Sequence, residues 1–205
     1  MVSVLTAVET EAKAVRAALR GRADVLVLAV GVRAGRVPGG LSGTVIVAGL
    51  GGGLDPSLRP GDVVVDGWPD DRDLPTGARR GTIVTAEAVC ATPSDKAALF
   101  RQTGAAAVDM EQAIVRRAVG EGARVVGVRA VLDPADQCLD PELVGLVDER
   151  GRPRLFRVAA MIAKRPGAVG ELMRLGATSR DACERLGAVV AACVRALRTG
   201  EHPSG

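Results

Sequence analysis

Aromatic side chains are nearly absent from this 205-residue chain, which holds two phenylalanines (Phe100, Phe156), one tryptophan (Trp68) and no tyrosine. Nucleic-acid recognition by stacked rings, as on RRM-type or OB-type surfaces, therefore lacks its platforms. Histidine is scarce as well, with His202 alone near the end of the chain. A Ser-His-Asp or Cys-His engine, or a His-rich zinc site, cannot be built around it. Neither sign of charge is in excess, since 27 Lys and Arg face 24 Asp and Glu for a formal charge of +3. That balance does not point to nucleic acid as a partner. The cysteines Cys90, Cys138, Cys183 and Cys193 form no CxxC pair and lie among small apolar residues. They read as buried hydrophobes in a reducing compartment. No run of 18 apolar residues occurs, so no transmembrane segment is expected. The opening Met1-Val2-Ser3-Val4-Leu5 lacks the basic flank of a secretory leader, and the expected location is cytoplasmic.

What remains for chemistry is carboxylates, Ser/Thr, Cys, Lys/Arg and backbone groups. The length fits one domain. Short β-branched runs alternate with helical patterns, which argues for an α/β fold with a central mixed sheet flanked by helices. The expected strands are Val2 to Val8, Val25 to Val30, Thr44 to Ala48, Val63 to Val65, Thr82 to Ala86, Ala105 to Val108 and Arg124 to Val131. Helices are expected from Glu9 to Arg20, from a cap at Ser94 to a stop at Gly104, and from about Met110 to Glu121. Asp66 to Gly81 is polar and rich in Asp, Pro and Gly and reads as a loop. Ala182, Leu186, Val189, Cys193 and Leu197 recur at helical spacing within Ser179 to Leu197. That apolar face is expected to pack on the sheet rather than on lipid. The domain is placed at 1–198, with 199–205 as a disordered tail.

Four features carry chemistry. Gly49-Leu50-Gly51-Gly52-Gly53 follows a buried strand and reads either as a tight turn needing positive φ or as a backbone wall against a ligand. A dinucleotide fingerprint fits it badly, because Leu54 stands at the third glycine and Pro56 and Pro60 break the helix that should follow. Asp109 and Glu111, with Met110 between them, sit at a strand end leading into a helix, where open α/β sheets bind ligands. They would also serve as ordinary complements of a helix dipole. Asp133 ends another strand ahead of Pro134 and fits either a ligand site or a turn. Glu11 lies in the first turn after the first strand. Three acids at three strand ends beside a glycine wall suit a polyhydroxyl ligand, since ionised carboxylates accept hydrogen bonds from sugar hydroxyls.

With these residues in place, the chain resembles the nucleoside phosphorylase and nucleosidase superfamily. Ala7-Val8-Glu9-Thr10-Glu11 is similar to the family's acidic start. Gly49 to Pro56, closing with Pro60-Gly61-Asp62-Val63-Val64, is similar to its glycine-loop signature. Val108-Asp109-Met110-Glu111 and Arg129-Ala130-Val131-Leu132-Asp133 match its sugar and base motifs. Within the superfamily, Thr92 to Glu111 and the segment from Leu146 through Arg165-Pro166-Gly167 to Leu175 resemble the hopanoid-associated, adenosylhopane nucleosidase branch.

The resemblance implies N-glycosidic cleavage of a purine nucleoside, with no metal or organic cofactor and with a homo-oligomeric state. It implies that Glu111 binds the ribose hydroxyls, that Met110 packs beneath the sugar, and that Gly51 to Gly53 lie along the nucleoside. Asp133 would protonate or hydrogen-bond the leaving purine, and Glu11 would orient or activate water. Where phosphorylases hold phosphate with Arg and Ser, this chain has Val47 and Leu50, which favours hydrolysis. Val89 stands near the place of the purine-stacking Phe, and Leu132 replaces the Ser before the acid. A more aliphatic pocket suits an apolar 5′ extension, as in a lipid-linked adenosine. The basic stretch Arg150, Arg152, Arg154 and Arg157 reads as a solvated loop or as a peripheral contact with an anionic membrane. Phosphorolysis, a degenerate nucleoside-binding protein and a dinucleotide-dependent oxidoreductase stand as the other readings.

Overall fold

Val, Ile and Ala run almost unbroken through the central strands, as expected where parallel strands are covered on both faces. In the computed structural model, which describes residues 1–69, 72–139, 161, 164–165 and 167–199, eight strands form one mixed sheet. They are β1 (Val2–Thr6), β2 (Leu26–Ala29), β3 (Gly43–Gly53), β4 (Val63–Asp66), β5 (Ala78–Arg80), β6 (Ile83–Thr85), β7 (Ala107–Asp109) and β8 (Ala123–Asp133). The main order is β2-β1-β3-β8-β4-β5, with β7 also on β3 and β6 on β7. The pairs β1–β2, β1–β3, β3–β8, β4–β5 and β6–β7 are parallel, while β4–β8 and β3–β7 are antiparallel. Among the described residues the helices that cover it include α1 (Glu9–Ala18), α2 (Pro93–Thr103), α3 (Gln112–Val119) and α4 (Ala168–Thr199).

One edge of β3 is divided. Residues Thr44 to Ala48 pair with β1, and Gly52 and Gly53 pair with β7. On its other edge β3 pairs with β8 from Gly43 to Gly52, with a register shift between Gly51 and Gly52. The stretch Gly49 to Gly51 thus lies between two departing strands, and that opening positions the cleft described below. The glycines therefore belong to a strand rather than to the turn considered from sequence, and none of Gly49, Gly51, Gly52 and Gly53 has positive φ. Their requirement is space. A Cβ on Gly51 would lie 2.8 Å from the Val108 carbonyl oxygen.

Alternation splits the apolar side chains between two layers. Val4, Ile46, Ala48, Val126, Val128 and Ala130 join Val15 of α1 and Leu186, Val190 and Val194 of α4. Leu5, Val45, Val47 and Val125 join Val115 of α3 on the other side. Ala182, Leu186, Val189, Cys193 and Leu197 are all buried, so the apolar stripe of α4 is spent on α1 and the sheet. Among the described residues no helix is long and apolar enough to cross a membrane.

Several boundaries differ from the sequence expectations. Asp66 to Gly81 contains β5, whose exposed Arg79 and Arg80 are those of a short edge strand and disguised it as loop. The N-cap of α2 is Thr92, whose hydroxyl accepts from the Asp95 amide, and Gly104 closes the helix in the left-handed region as expected. Helix α3 starts at Gln112 because Met110 and Glu111 form the turn out of β7. Strand β8 runs on to Asp133, making that acid the last strand residue. Cys193 is buried, but Cys138 is exposed and Cys90 and Cys183 are partly exposed. The basic stretch 150–157 and residues 200–205 of the expected tail lie outside the described residues, whereas Thr199 belongs to α4.

Gly187 lies where α4 packs tightly on α1, and an added Cβ would meet the Ala14 carbonyl oxygen at 2.8 Å and the Ala18 Cβ at 3.2 Å. Helix propensity alone makes Gly→Ala stabilising by about 1 kcal/mol. Backbone contact reverses the sign at this position. Gly187→Ala is expected to destabilise by about 1–3 kcal/mol, read as a lowered urea midpoint at unchanged slope.

Candidate active site

Glu11 illustrates how local chain geometry makes the site. It occupies the third position of α1, where a carboxylate can reach back to the free amides of a helix start. Its Oε2 accepts from the Ala7 and Val8 amides, both at 3.1 Å. Its Oε1 accepts from the Leu50 amide at 2.9 Å, within the stretch of β3 left open by its neighbours. Gly49 is needed there, since a Cβ would sit 3.0 Å from that oxygen. Burial pushes the Glu11 carboxyl above its ordinary value, against the pull of the Leu50 and Val8 amides and the Arg129 charge.

The β7–α3 turn presents the second acid. Glu111 is buried, and its Oε1 accepts from the Arg33 amide at 3.1 Å. Arg33 and Ala34 hold φ of 57° and 50°, a left-handed turn that non-glycine residues adopt at a cost of about 1–2 kcal/mol each. Arg129 supports this turn from β8. Its Nη2 pairs with Asp109 Oδ2 and stands 3.7 Å from Glu111 Oε2, while Nη1 donates to the Val47 carbonyl at 2.7 Å. Asp109 also accepts from Thr85 Oγ1 at 2.6 Å and from the Gln112 amide at 2.9 Å. The carboxyl of Asp109 is thus engaged in holding β6, β8 and α3 together.

Asp133, the third acid, is buried at the end of β8 with Oδ2 2.6 Å from the Lys96 ammonium. Burial raises its carboxyl above the ordinary value, and Lys96 opposes that rise. A Cβ on Gly52 would come within 3.0 Å of Val108 Cγ1 and 3.4 Å of Asp133 Oδ2, so the glycine gives this acid its room.

Glu11, Glu111 and Asp133 line one cleft of about 240 Å³, together with Asp109, Met110, Gly51, Gly52 and Val89. Gly53 is not among the lining residues; a Cβ there would meet Val131 at 3.1 Å and Pro134 at 3.3 Å. Of the substitutions read from sequence, Leu50, Leu132 and Val89 line the cleft, while Val47 points into the apolar layer with Val115. Val32 and Val89 line it and stay 37% and 42% exposed, so the apolar flank is open to solvent. A larger hollow of about 600 Å³ between β6 and α3, with Arg116 and Arg117, gathers none of the three acids. Among the described residues no group of three or more His, Cys, Asp or Glu is arranged to hold a metal ion.

The fold that carries this cleft is shared with solved structures. The 5′-methylthioadenosine/S-adenosylhomocysteine nucleosidase of Helicobacter pylori superposes with a TM-score of 0.61 at 14% identity, covering 95% of this chain and 97% of that one. Futalosine hydrolase of the same organism gives 0.59 at 15% identity, over 95% and 97%. The corresponding nucleosidase of Colwellia psychrerythraea, solved with adenine, gives 0.60 at 17% identity, over 96% and 95%. The fold is nucleoside phosphorylase-like. The family described as the Phosphorylase superfamily matches residues 71–164 of this chain. No curated protein matches this chain significantly.

Within this nucleoside phosphorylase-like frame, sequence reasoning passed over three contributors. Lys96 is the one fully buried residue of α2 and shares a face with Leu99 and Phe100. A lysine inside an apolar i, i+3, i+4 stripe was the available signal. Arg129 lies within the Arg129-to-Asp133 motif, but its partners lie on other elements and no local pattern names them. The Arg33 amide had no signal at all. Arg129→Met is expected to cost about 3–5 kcal/mol in urea unfolding, because Asp109 and Glu111 would lose their buried cation.

Proposed function

We propose that the chain hydrolyses the N-glycosidic bond of a purine nucleoside. The observation that carries this reading is the convergence of three buried carboxylates, Glu11, Glu111 and Asp133, on one cleft beside a stretch of strand edge that no other strand pairs. Such bonds break through an oxocarbenium-like state, with charge building on the departing base. Asp133 is placed to give a proton to the purine ring nitrogen, and its burial favours the protonated form that this requires. Glu111 accepts hydrogen bonds from the ribose hydroxyls, and Met110 lies against the sugar. Glu11 takes a proton from the attacking water, a task for which a raised carboxyl is the better base.

Water is favoured over phosphate as the nucleophile. Leu50 lines the cleft where phosphorylases carry a serine, and its side chain cannot donate a hydrogen bond to an anion. Val32, Val89, Leu132 and Leu139 make an apolar flank. That flank suits adenosines with an apolar 5′ group, adenosylhopane among them. The neighbours named for nucleosidases of 5′-substituted adenosines support the same substrate class. An open flank also suits closure by a second copy of the chain.

Incubation with several 5′-substituted adenosines, with and without phosphate, is expected to release adenine independently of phosphate. Asp133→Asn and Glu111→Gln should each reduce release at least about tenfold. Full activity in both variants overturns the site assignment, phosphate-dependent release overturns hydrolysis, and binding without turnover overturns the enzyme reading. Glu11 acts ionised, so the rate should fall as pH drops through its raised value, above the usual carboxylate range. Glu11→Gln should remove that acid limb along with most of the rate, which a pH series of adenine release will read.

A further inference from the structure

Lys96 is fully buried, a rare state for a lysine unless its ammonium is completely partnered. Its Nζ reaches the carbonyl oxygens of Pro134 at 2.8 Å, Gln137 at 2.9 Å and Asp133 at 3.3 Å. The fourth oxygen is Asp133 Oδ2, at 2.6 Å. The loop after β8 therefore folds around an ammonium carried by α2, and the acid at the loop's start faces both that ammonium and the cleft. A strut between α2 and the loop would need only the carbonyls. The direct contact with Asp133 Oδ2 places a positive charge against the atom that changes charge in the proposed reaction.

We propose that Lys96 is a positioning residue that holds Asp133 toward the leaving base and carries the counter-charge for the carboxylate that forms when Asp133 gives up its proton. The inference rests on Asp133 being the proton donor. In the step, the Asp133 proton passes to a purine ring nitrogen as the C1′–N bond breaks, its electron pair leaving with the base. Water oxygen bonds to C1′ and its proton passes to the Glu11 carboxylate. Glu11 then releases that proton to solvent, and Asp133 regains one. During the interval in which Asp133 is anionic, the Lys96 ammonium lies directly against it.

Other charges around Asp133 are less directly placed. Asp95 is exposed on α2, Cys90 lies in the segment after β6, and Glu11 and Glu111 line the cleft with Asp133. Arg129, on the same strand, is committed to Asp109 and the Val47 carbonyl. Lys96 is the cation in direct contact with Asp133, so removing it should act on the acid specifically.

The test is adenine release by Lys96→Met and Lys96→Arg across a pH series. In Lys96→Met, kcat should fall at least about tenfold with little change in KM, and the alkaline limb should move to higher pH, since a carboxyl without its cation holds its proton more tightly. Lys96→Arg should restore the limb toward the parent position. Lys96→Met added to Asp133→Asn should cost little beyond Asp133→Asn alone. An unchanged alkaline limb, or additive losses, overturns the inference and leaves Lys96 a strut.

Carbon-13 NMR titration of the unaltered protein supplies a second measurement that needs no folded Lys96 variant. A lysine signal should move with the same midpoint as the Asp133 carboxyl, and that movement should vanish in Asp133→Asn. A lysine signal indifferent to Asp133 overturns the coupling. Adenine release that survives in Asp133→Asn overturns the functional reading instead. Release abolished in Asp133→Asn but with a parental limb in Lys96→Met overturns this inference alone.

Discussion

The divided edge of β3 is the constraint on which the site depends. A strand edge that pairs along its whole length has no free amides to offer. Here β1 leaves β3 after Ala48 and β7 joins only at Gly52, so the intervening backbone is free on that side. The Leu50 amide takes Glu11 as its partner in place of another strand. β8 keeps the other edge continuous and delivers Arg129 and Asp133 across that opening. At the positions of this join that face Glu11, Val108 and Asp133 there is no room for a Cβ atom, whereas Leu50 between them turns its side chain to the cleft. The glycine run answers that need, with Gly49 facing Glu11, Gly51 facing Val108 and Gly52 facing Asp133.

Three buried acids near one cavity would repel one another and resist ionisation if they shared one environment. They are kept distinct by their partners. Glu11 is held by backbone amides, Glu111 by the Arg33 amide and the more distant Arg129, and Asp133 by a lysine. Different partners allow different protonation behaviour within a few residues' reach, which is how one site can hold both an acid and a base. Asp109 stands apart, because its oxygens are occupied by Arg129, Thr85 and an amide of α3. Both acids of the Asp109-Met110-Glu111 motif line the cleft, but the Asp109 carboxyl is taken up by its supporting partners.

The scarcity of aromatic residues acquires a local meaning. Among the described residues, the cleft is lined on one flank by Val32, Val89, Leu132 and Leu139, none of which is a ring to stack on a base. The single tryptophan is employed elsewhere, buried against the layer of α4 with its indole N–H donating to the Asp73 carbonyl at 3.2 Å.

Much of the frame is legible in the order of residues, because strand runs, helix caps and strand-end acids are local patterns. The α/β class, the stop at Gly104 and the candidacy of Glu11, Glu111 and Asp133 follow from spacing and residue type alone. The status of Gly49 to Gly53 does not, because a glycine run looks the same whether a turn needs positive φ or two elements need to touch. Strand β5 is hidden for a similar reason, its polar residues being legible only once β4 is beside it. The partner of Asp133 comes from 37 residues earlier in the chain. That Lys96 is an internal counter-charge rather than a solvated surface lysine was decided by the packing of α2 against the loop after β8. Burial and long-range charge pairing are properties of the folded arrangement, and no local pattern encodes which distant oxygen a lysine will meet.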